Sequence, residues 1–155
     1  MPIQYVDVSM TTATDAQDAG DVLAATQVVT NACAAINEPT LLQSVTVIDT
    51  DDQKAILTAV FLDSDVAFGT EDAAPSITDA NALAIQGSVE FVVADYIDVG
   101  GASYANAKNV GLVLKPAVGT RNVYMALYTP ATSTPTYASG IITVRLGFMS
   151  MKEGQ

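Results

Sequence analysis

The amino-acid sequence predicts a mainly β fold, an antiparallel β-sandwich or jelly-roll-like domain with one short helix. The 155 residues include 18 valines and 17 threonines, whose branched Cβ atoms suit a pleated strand better than a helix. Short stretches of alternating apolar and polar residues recur along the chain, with turn residues between them. Strand patterns do not alternate regularly with helical ones, so a parallel sheet is not expected.

The first part of the chain predicts four strands. Residues 3–10 alternate between apolar and polar side chains, and residues 22–29 are rich in β-branched ones. Residues 41–48 give the clearest strand, and residues 55–62 return after a polar turn at residues 49–52. We therefore expect these two strands to pair as a hairpin with a loop longer than two residues. Strict alternation puts four residues on one face of the third strand: Leu41, Gln43, Val45 and Val47.

One short helix and the remaining strands follow. Residues 76–79 resemble a helix start with a hydroxyl cap, and residues 80–85 are mostly good helix formers, so a helix ending near Gly87 is expected. Alternation in the last strand predicts that Ile142, Val144, Leu146 and Phe148 point inward, with Thr143 and Arg145 outward. In the strand at residues 122–128, alternation puts Val123, Met125 and Leu127 on one face and Tyr124, Ala126 and Tyr128 on the other. The later strands are expected at residues 88–93, 96–99, 103–109 with 110–114, 122–128 and 141–149.

Composition excludes several kinds of function. The formal net charge is −11, with 6 basic and 17 acidic residues, so a nucleic-acid-binding surface is not expected. Histidine is absent, which excludes imidazole catalysis, and Cys33 alone allows neither an internal disulfide nor a thiolate metal cluster. No apolar run is long enough to suggest a membrane span. We expect no enzymatic activity and no cofactor.

Clustered aspartates are the strongest candidate for a metal site. Asp49, Asp51 and Asp52 share one turn, and carboxylates in loops suit calcium. The spacing departs from an EF-hand, because Lys54 stands at the glycine position and Val60 at the bidentate glutamate position. Asp63 and Asp65, in the next loop, belong to the same candidate set. Aspartates also accept backbone hydrogen bonds in turns, and we expect that role here.

The charge is unevenly distributed along the chain. Residues 1–98 carry sixteen acids and one base, whereas residues 99–155 carry one acid and five bases. Two interpretations follow. The two segments interleave in one domain and the asymmetry averages out, or the molecule has one acidic face and one less acidic contact face.

Several stretches resemble one family. The segment SVTVID at residues 44–49 is followed by DDQ at residues 51–53. Together they resemble a segment found in small virion structural proteins of tailed bacteriophages, namely head decoration (cement) proteins. The resemblance covers roughly residues 40–148, and its motifs are turns and strand pairs without a catalytic signature. It continues at residues 60–64, 76–80, 95–98, 108–112, 134–137 and 144–147.

The resemblance implies a non-enzymatic protein that binds the outer surface of a phage head and stabilises contacts between capsomers. Its implied partners are the major capsid protein and further copies of itself, with a trimer favoured because three-fold lattice positions demand one. It would be made in the host cytoplasm and reside on the outer capsid, without binding nucleic acid or membrane. The alternatives are another virion part, such as a tail, neck or host-attachment subunit, or a glycan-binding β-sandwich.

We expect one domain over residues 1–155, with residues 1–20 as a candidate extended N-terminal arm that adds a strand to a neighbour. No catalytic, cofactor-binding or metal-binding residue is expected. The expected partner contacts are the arm residues and three cations of the basic segment: Ile3, Tyr5, Val6, Val8, Met10, Lys108, Lys115 and Arg121.

Overall fold

A computed structural model describes residues 2–130 and 132–152, and within these ranges the chain forms two antiparallel sheets packed face to face. The mainly β fold is confirmed. The strands are β1 (Ile3–Thr11), β2 (Val22–Val29), β3 (Thr40–Asp49), β4 (Leu57–Leu62), β5 (Ile85–Phe91), β6 (Tyr96–Asp98), β7 (Ser103–Leu114), β8 (Val123–Tyr128) and β9 (Ile141–Ser150). The helix α1 spans Asp79–Ala82, and a 3₁₀ turn spans Val93–Asp95.

The strand order identifies the sandwich as a jelly roll. One sheet has the order β1-β9-β3-β7-β6, and the other has the order β2-β8-β4-β5. Leaving out the three-residue strand β6, each sheet has four strands, and most connections cross from one sheet to the other. This is the eight-stranded arrangement of two Greek keys. Within the described ranges, no helix is long and apolar enough to cross a membrane.

The expected hairpin between the third and fourth strands is wrong. β3 pairs with β7 and β9, whereas β4 lies in the other sheet and pairs with β5 and β8. The buried carboxylate of Asp49 organises the turn that carries the chain across. It accepts hydrogen bonds from the backbone N–H groups of Asp51, Gln53 and Lys54 at 3.0, 2.8 and 2.9 Å. Burial raises the pKa of the Asp49 carboxyl, and these three N–H groups oppose the rise.

The main core lies between the sheets. In β8, Val123, Met125 and Leu127 face this core, as the alternation predicts. The inward set predicted for the last strand is confirmed as well, because its four members are each at most 1% exposed. These four residues are Ile142, Val144, Leu146 and Phe148.

A second apolar cluster covers the outer face of the four-stranded sheet. The connection from residue 63 to residue 78 crosses this face and places Phe68 against Val22, Val60 and Ala126. All six residues of β4 are buried, because the sheet has a core on both sides. The outer face of the five-stranded sheet has no comparable covering segment within the described ranges.

A β-bulge changes the predicted faces of β3. Leu42, rather than Leu41, is buried with Val45 and Val47, because the pairing register shifts between Leu42 and Ser44. One extra residue in a strand moves the preceding side chains to the opposite face. Leu41 therefore lies on the outer face of the sheet.

The helix is shorter than the sequence predicts. Thr78 caps α1, and its hydroxyl accepts a hydrogen bond from the backbone N–H of Asn81 at 3.2 Å. The chain is already a strand at Ile85, which pairs with Leu62, so β5 begins three residues before the predicted position at Ser88. Pairing with the buried strand β4 therefore overrides the local helix propensity.

Two glutamine side chains join the sheets at their edges. Gln27 of β2 accepts from the backbone N–H of Thr11 at 2.6 Å and donates to the carbonyl of Ser9 at 3.1 Å. Gln86 of β5 accepts from the N–H of Lys115 at 2.6 Å and donates to the same residue's carbonyl at 3.0 Å. A primary amide presents a donor and an acceptor side by side, as a neighbouring strand does.

We expect Asp49→Ala to lower the free energy of unfolding by about 2–4 kcal/mol, because three backbone donors lose their acceptor at a largely buried turn. Urea denaturation measures the change. The matched control is Asp65→Ala, an exposed aspartate for which we expect a change within about 0.5 kcal/mol. Equal losses in both variants would contradict the role given to Asp49.

Candidate interaction surface

The outer face of the five-stranded sheet carries an apolar row. Ile3 of β1 pairs with Met149 of β9, Met149 pairs with Leu41 of β3, and Leu41 pairs with Val113 of β7. Residues paired in register point to the same face of a sheet. Ile3 is 62% exposed and Val113 is 49% exposed, so the row opens to solvent at both ends.

A tyrosine lies beside this row, above a glycine. Tyr5 is 68% exposed and pairs with Gly147, which in turn pairs with Ser44. A Cβ atom at Gly147 would lie 3.2 Å from Cε1 of Tyr5 and would clash with the Ser44 hydroxyl. The glycine therefore lets the Tyr5 ring lie close to the sheet. Lys108 of β7 pairs with Ser44, so it lies in register with Tyr5 and Gly147, beside the apolar row.

An ion pair follows on the same face. The Arg145 guanidinium donates from Nε to Oδ1 of Asp7 at 2.8 Å and from Nη2 to Oδ2 at 3.0 Å. This two-bond contact lowers the pKa of the Asp7 carboxyl and raises that of Arg145. The pair neutralises the acid that β1 carries on this face.

The face is not acidic, although the chain is. Its charged side chains on β1, β9, β3 and β7 are Asp7, Arg145 and Lys108. The opposite side is different, because the connection that covers the four-stranded sheet carries four acids. These are Asp63, Asp65, Glu71 and Asp72.

Ion pairs link the acidic and basic segments of the chain. Besides Asp7 and Arg145, Lys115 contacts Asp63 at 3.2 Å and Lys152 contacts Glu38 at 2.9 Å. The two segments therefore interleave in one fold. The less acidic face arises from which residues point outward from one sheet, and the sequence position of the charges alone does not determine it.

Of the five expected arm contacts, the structure leaves two on the surface. Ile3 and Tyr5 are exposed on the outer face, and Val6 is partly buried against the main core. Val8 and Met10 are 7% and 0% exposed, so both belong to the core and cannot contact a partner. The reason is that β1 pairs with β9 over its whole length, and alternate side chains of a strand point to opposite faces.

The three expected cations do not form one patch. Lys108 lies on the outer sheet face, whereas Lys115 follows β7 and pairs with Asp63. Arg121 lies in the loop before β8, and its Nε donates to the carbonyl of Cys33 at 2.9 Å.

Three members of the apolar row were not expected as contacts. Met149, Leu41 and Val113 become neighbours only through the pairing of β9, β3 and β7, which are distant in sequence. The alternation of β9 was the available signal, because it puts Met149 on the same face as the outward Arg145.

The aspartates of the β3–β4 turn bind groups of the protein itself. The Asp51 carboxylate accepts from the backbone N–H and the hydroxyl of Ser139, and Asp52 lies 3.3 Å from the Lys54 ammonium. Lys54 also contacts Asp98 at 2.8 Å. These bonds tie the turn to the β8–β9 loop and to β6.

No family model and no curated protein matches the sequence. Among solved structures, the chain is similar to a chain of Desmodium yellow mottle tymovirus, with 13% identity, a TM-score of 0.31, and coverage of 99% of this chain and 84% of that one. It is also similar to a chain in the structure of infectious bursal disease virus Gx strain, with 11% identity, a TM-score of 0.21, and coverage of 99% and 38%. Both TM-scores are low, and the fold assignment rests on the strand order itself.

We expect Gly147→Ala to lower the free energy of unfolding by about 1–2 kcal/mol, because the new methyl group meets the Ser44 hydroxyl and the Tyr5 ring. Thermal denaturation measures this loss of stability. The double variant Gly147→Ala with Ser44→Ala removes the hydroxyl and should recover most of the loss. A single variant as stable as the wild type would show that the sheet tolerates a side chain there.

Proposed function

We propose that this protein is a non-enzymatic head decoration protein of a tailed phage, which binds the outer surface of the capsid and stabilises contacts between capsomers. One observation carries the proposal. The protein covers the outer face of its four-stranded sheet with its own chain, whereas the outer face of the five-stranded sheet remains open, with an apolar row in register and little negative charge.

The open face suits a large and flat protein partner. The backbone of a sheet face is held in place by the hydrogen bonds between its strands, so little backbone entropy is lost when the face docks. The apolar row supplies area whose burial stabilises a complex by about 25 cal/mol per Å². The acidic connection on the opposite side then faces solvent, which favours solubility.

The fold and the resemblance support the same role. Jelly rolls occur in viral capsid and lectin domains, among others, so the fold is compatible with a virion component. The resemblance to small virion proteins of tailed phages covers strands and turns that form this sandwich. A capsid lattice repeats one site many times, so an oligomer that engages several sites gains avidity even when each contact is weak.

Val113→Asp tests the face directly. It puts a carboxylate on the apolar row of the proposed contact, and we expect binding to heads of the encoding phage, prepared without this protein, to weaken at least tenfold. Lys108→Glu on the same face should also weaken binding. The matched control is Val118→Asp, because Val118 is 93% exposed but lies in the loop after β7. Co-sedimentation of purified protein with the heads measures the three affinities.

Two results would overturn the proposal. The first is wild-type protein that does not sediment with heads but is found in isolated tails or necks. The second is equal binding by Val113→Asp and Val118→Asp. Removal of residues 2–10 is not a suitable test, since it takes Val8 and Met10 out of the core.

A further inference from the structure

The geometry points to a second contact, which does not depend on the decoration role: two copies of this chain pair through the open edge of β1. In this contact the β1 strands of both copies run antiparallel about a two-fold axis at Tyr5. The two five-stranded sheets then form one continuous ten-stranded sheet.

The backbone of β1 shows which groups face outward. N–H and C=O groups of alternate residues point to opposite edges of a strand. The N–H and C=O groups of even-numbered residues point toward β9, since the Pro2 carbonyl accepts a hydrogen bond from the N–H of Ser150 at 3.1 Å. The N–H and C=O groups of odd-numbered residues point away from β9, since the Ser9 carbonyl and the Thr11 N–H bond to the Gln27 side chain instead.

The open part of the edge is short and symmetric. Gln27 occupies the edge at Ser9, and the same alternation leaves the N–H and C=O groups of Ile3, Tyr5 and Asp7 pointing outward. Within residues 2–130 and 132–152 these groups have no hydrogen-bond partner. Three open residues centred on Tyr5 are self-complementary about a two-fold axis.

Pairing about that axis satisfies all of the open groups. Ile3 lies opposite Asp7 of the second copy, and Tyr5 lies opposite its own counterpart, which gives about six main-chain hydrogen bonds. The two Tyr5 side chains become direct cross-strand neighbours on the outer face, a favourable position for aromatic pairs. The open stretch carries neither of the protective residues, lysine and proline, that commonly block edge pairing.

Electrostatics favours this edge for a second copy. Two chains of net charge −11 repel each other over most of their surfaces. At the open edge the only charged side chain of β1 is Asp7, and Arg145 neutralises it through two hydrogen bonds. The edge is therefore a place where two acidic copies can approach closely.

Sedimentation equilibrium of the purified protein without capsids tests the contact. We expect the wild type to be dimeric at about 100 μM, a concentration that saturates a micromolar contact. Tyr5→Pro should weaken association at least tenfold while the domain remains folded, because proline removes an N–H that bonds nothing within the domain. Tyr5→Lys is a second variant that keeps the N–H and places two cations at the axis.

Val113→Lys is the matched control, because it charges the same sheet face three strands from the edge. It should dimerise like the wild type. The wild-type dimer should also strengthen as salt screens the repulsion between acidic copies. A wild type that is monomeric or trimeric at this concentration would overturn the inference. So would undiminished dimerisation of both Tyr5 variants, or equal loss in Val113→Lys. Capsid binding is measured separately, so failure of one proposal leaves the other standing.

Discussion

A sandwich buries only the inner face of each of its sheets, and this constraint shapes the rest of the molecule. The four-stranded sheet carries apolar side chains on both faces, so the chain uses residues 63–78 to cover the outer one. The five-stranded sheet has a mixed outer face, which can stay in water. The acidic covering segment and the open apolar row therefore lie on opposite sides of the molecule, and this polarity is the basis of the proposed function.

The edges of the sheets present a second problem, because unpaired backbone groups must find partners or water. At two places where the sheets meet, a glutamine side chain supplies the missing hydrogen-bond partners. Gln27 offers a donor and an acceptor to Ser9 and Thr11 of β1. Gln86 offers both to Lys115, directly after β7. The Gln27 contact ends at Ser9, and the stretch of β1 from Ile3 to Asp7 remains open. Edge protection thus also defines the limits of the proposed two-fold contact.

Local pattern predicted what depends on one strand alone. The inward set of β9 and the two faces of β8 follow from simple alternation, and the structure confirms them. Pairing between distant strands could not be predicted in this way. The sequence around Asp49 suits a hairpin turn as well as a crossing between sheets. The pairing of β4 with β5 and β8, which lie later in the chain, decides between them. The bulge after Leu42 shifted one face for the same reason, and the apolar row depends on it.

The two proposed contacts are geometrically compatible, because one uses the face of the sheet and the other uses its edge. A two-fold axis perpendicular to the sheet keeps both outer faces on the same side of the dimer. The apolar row of each copy, from Ile3 to Val113, then lies on a single continuous surface. Such a dimer presents two equivalent docking faces to a repeating lattice. The weak contact that one small row can supply is thereby reinforced by avidity, while the acidic sides of both copies point away from the partner.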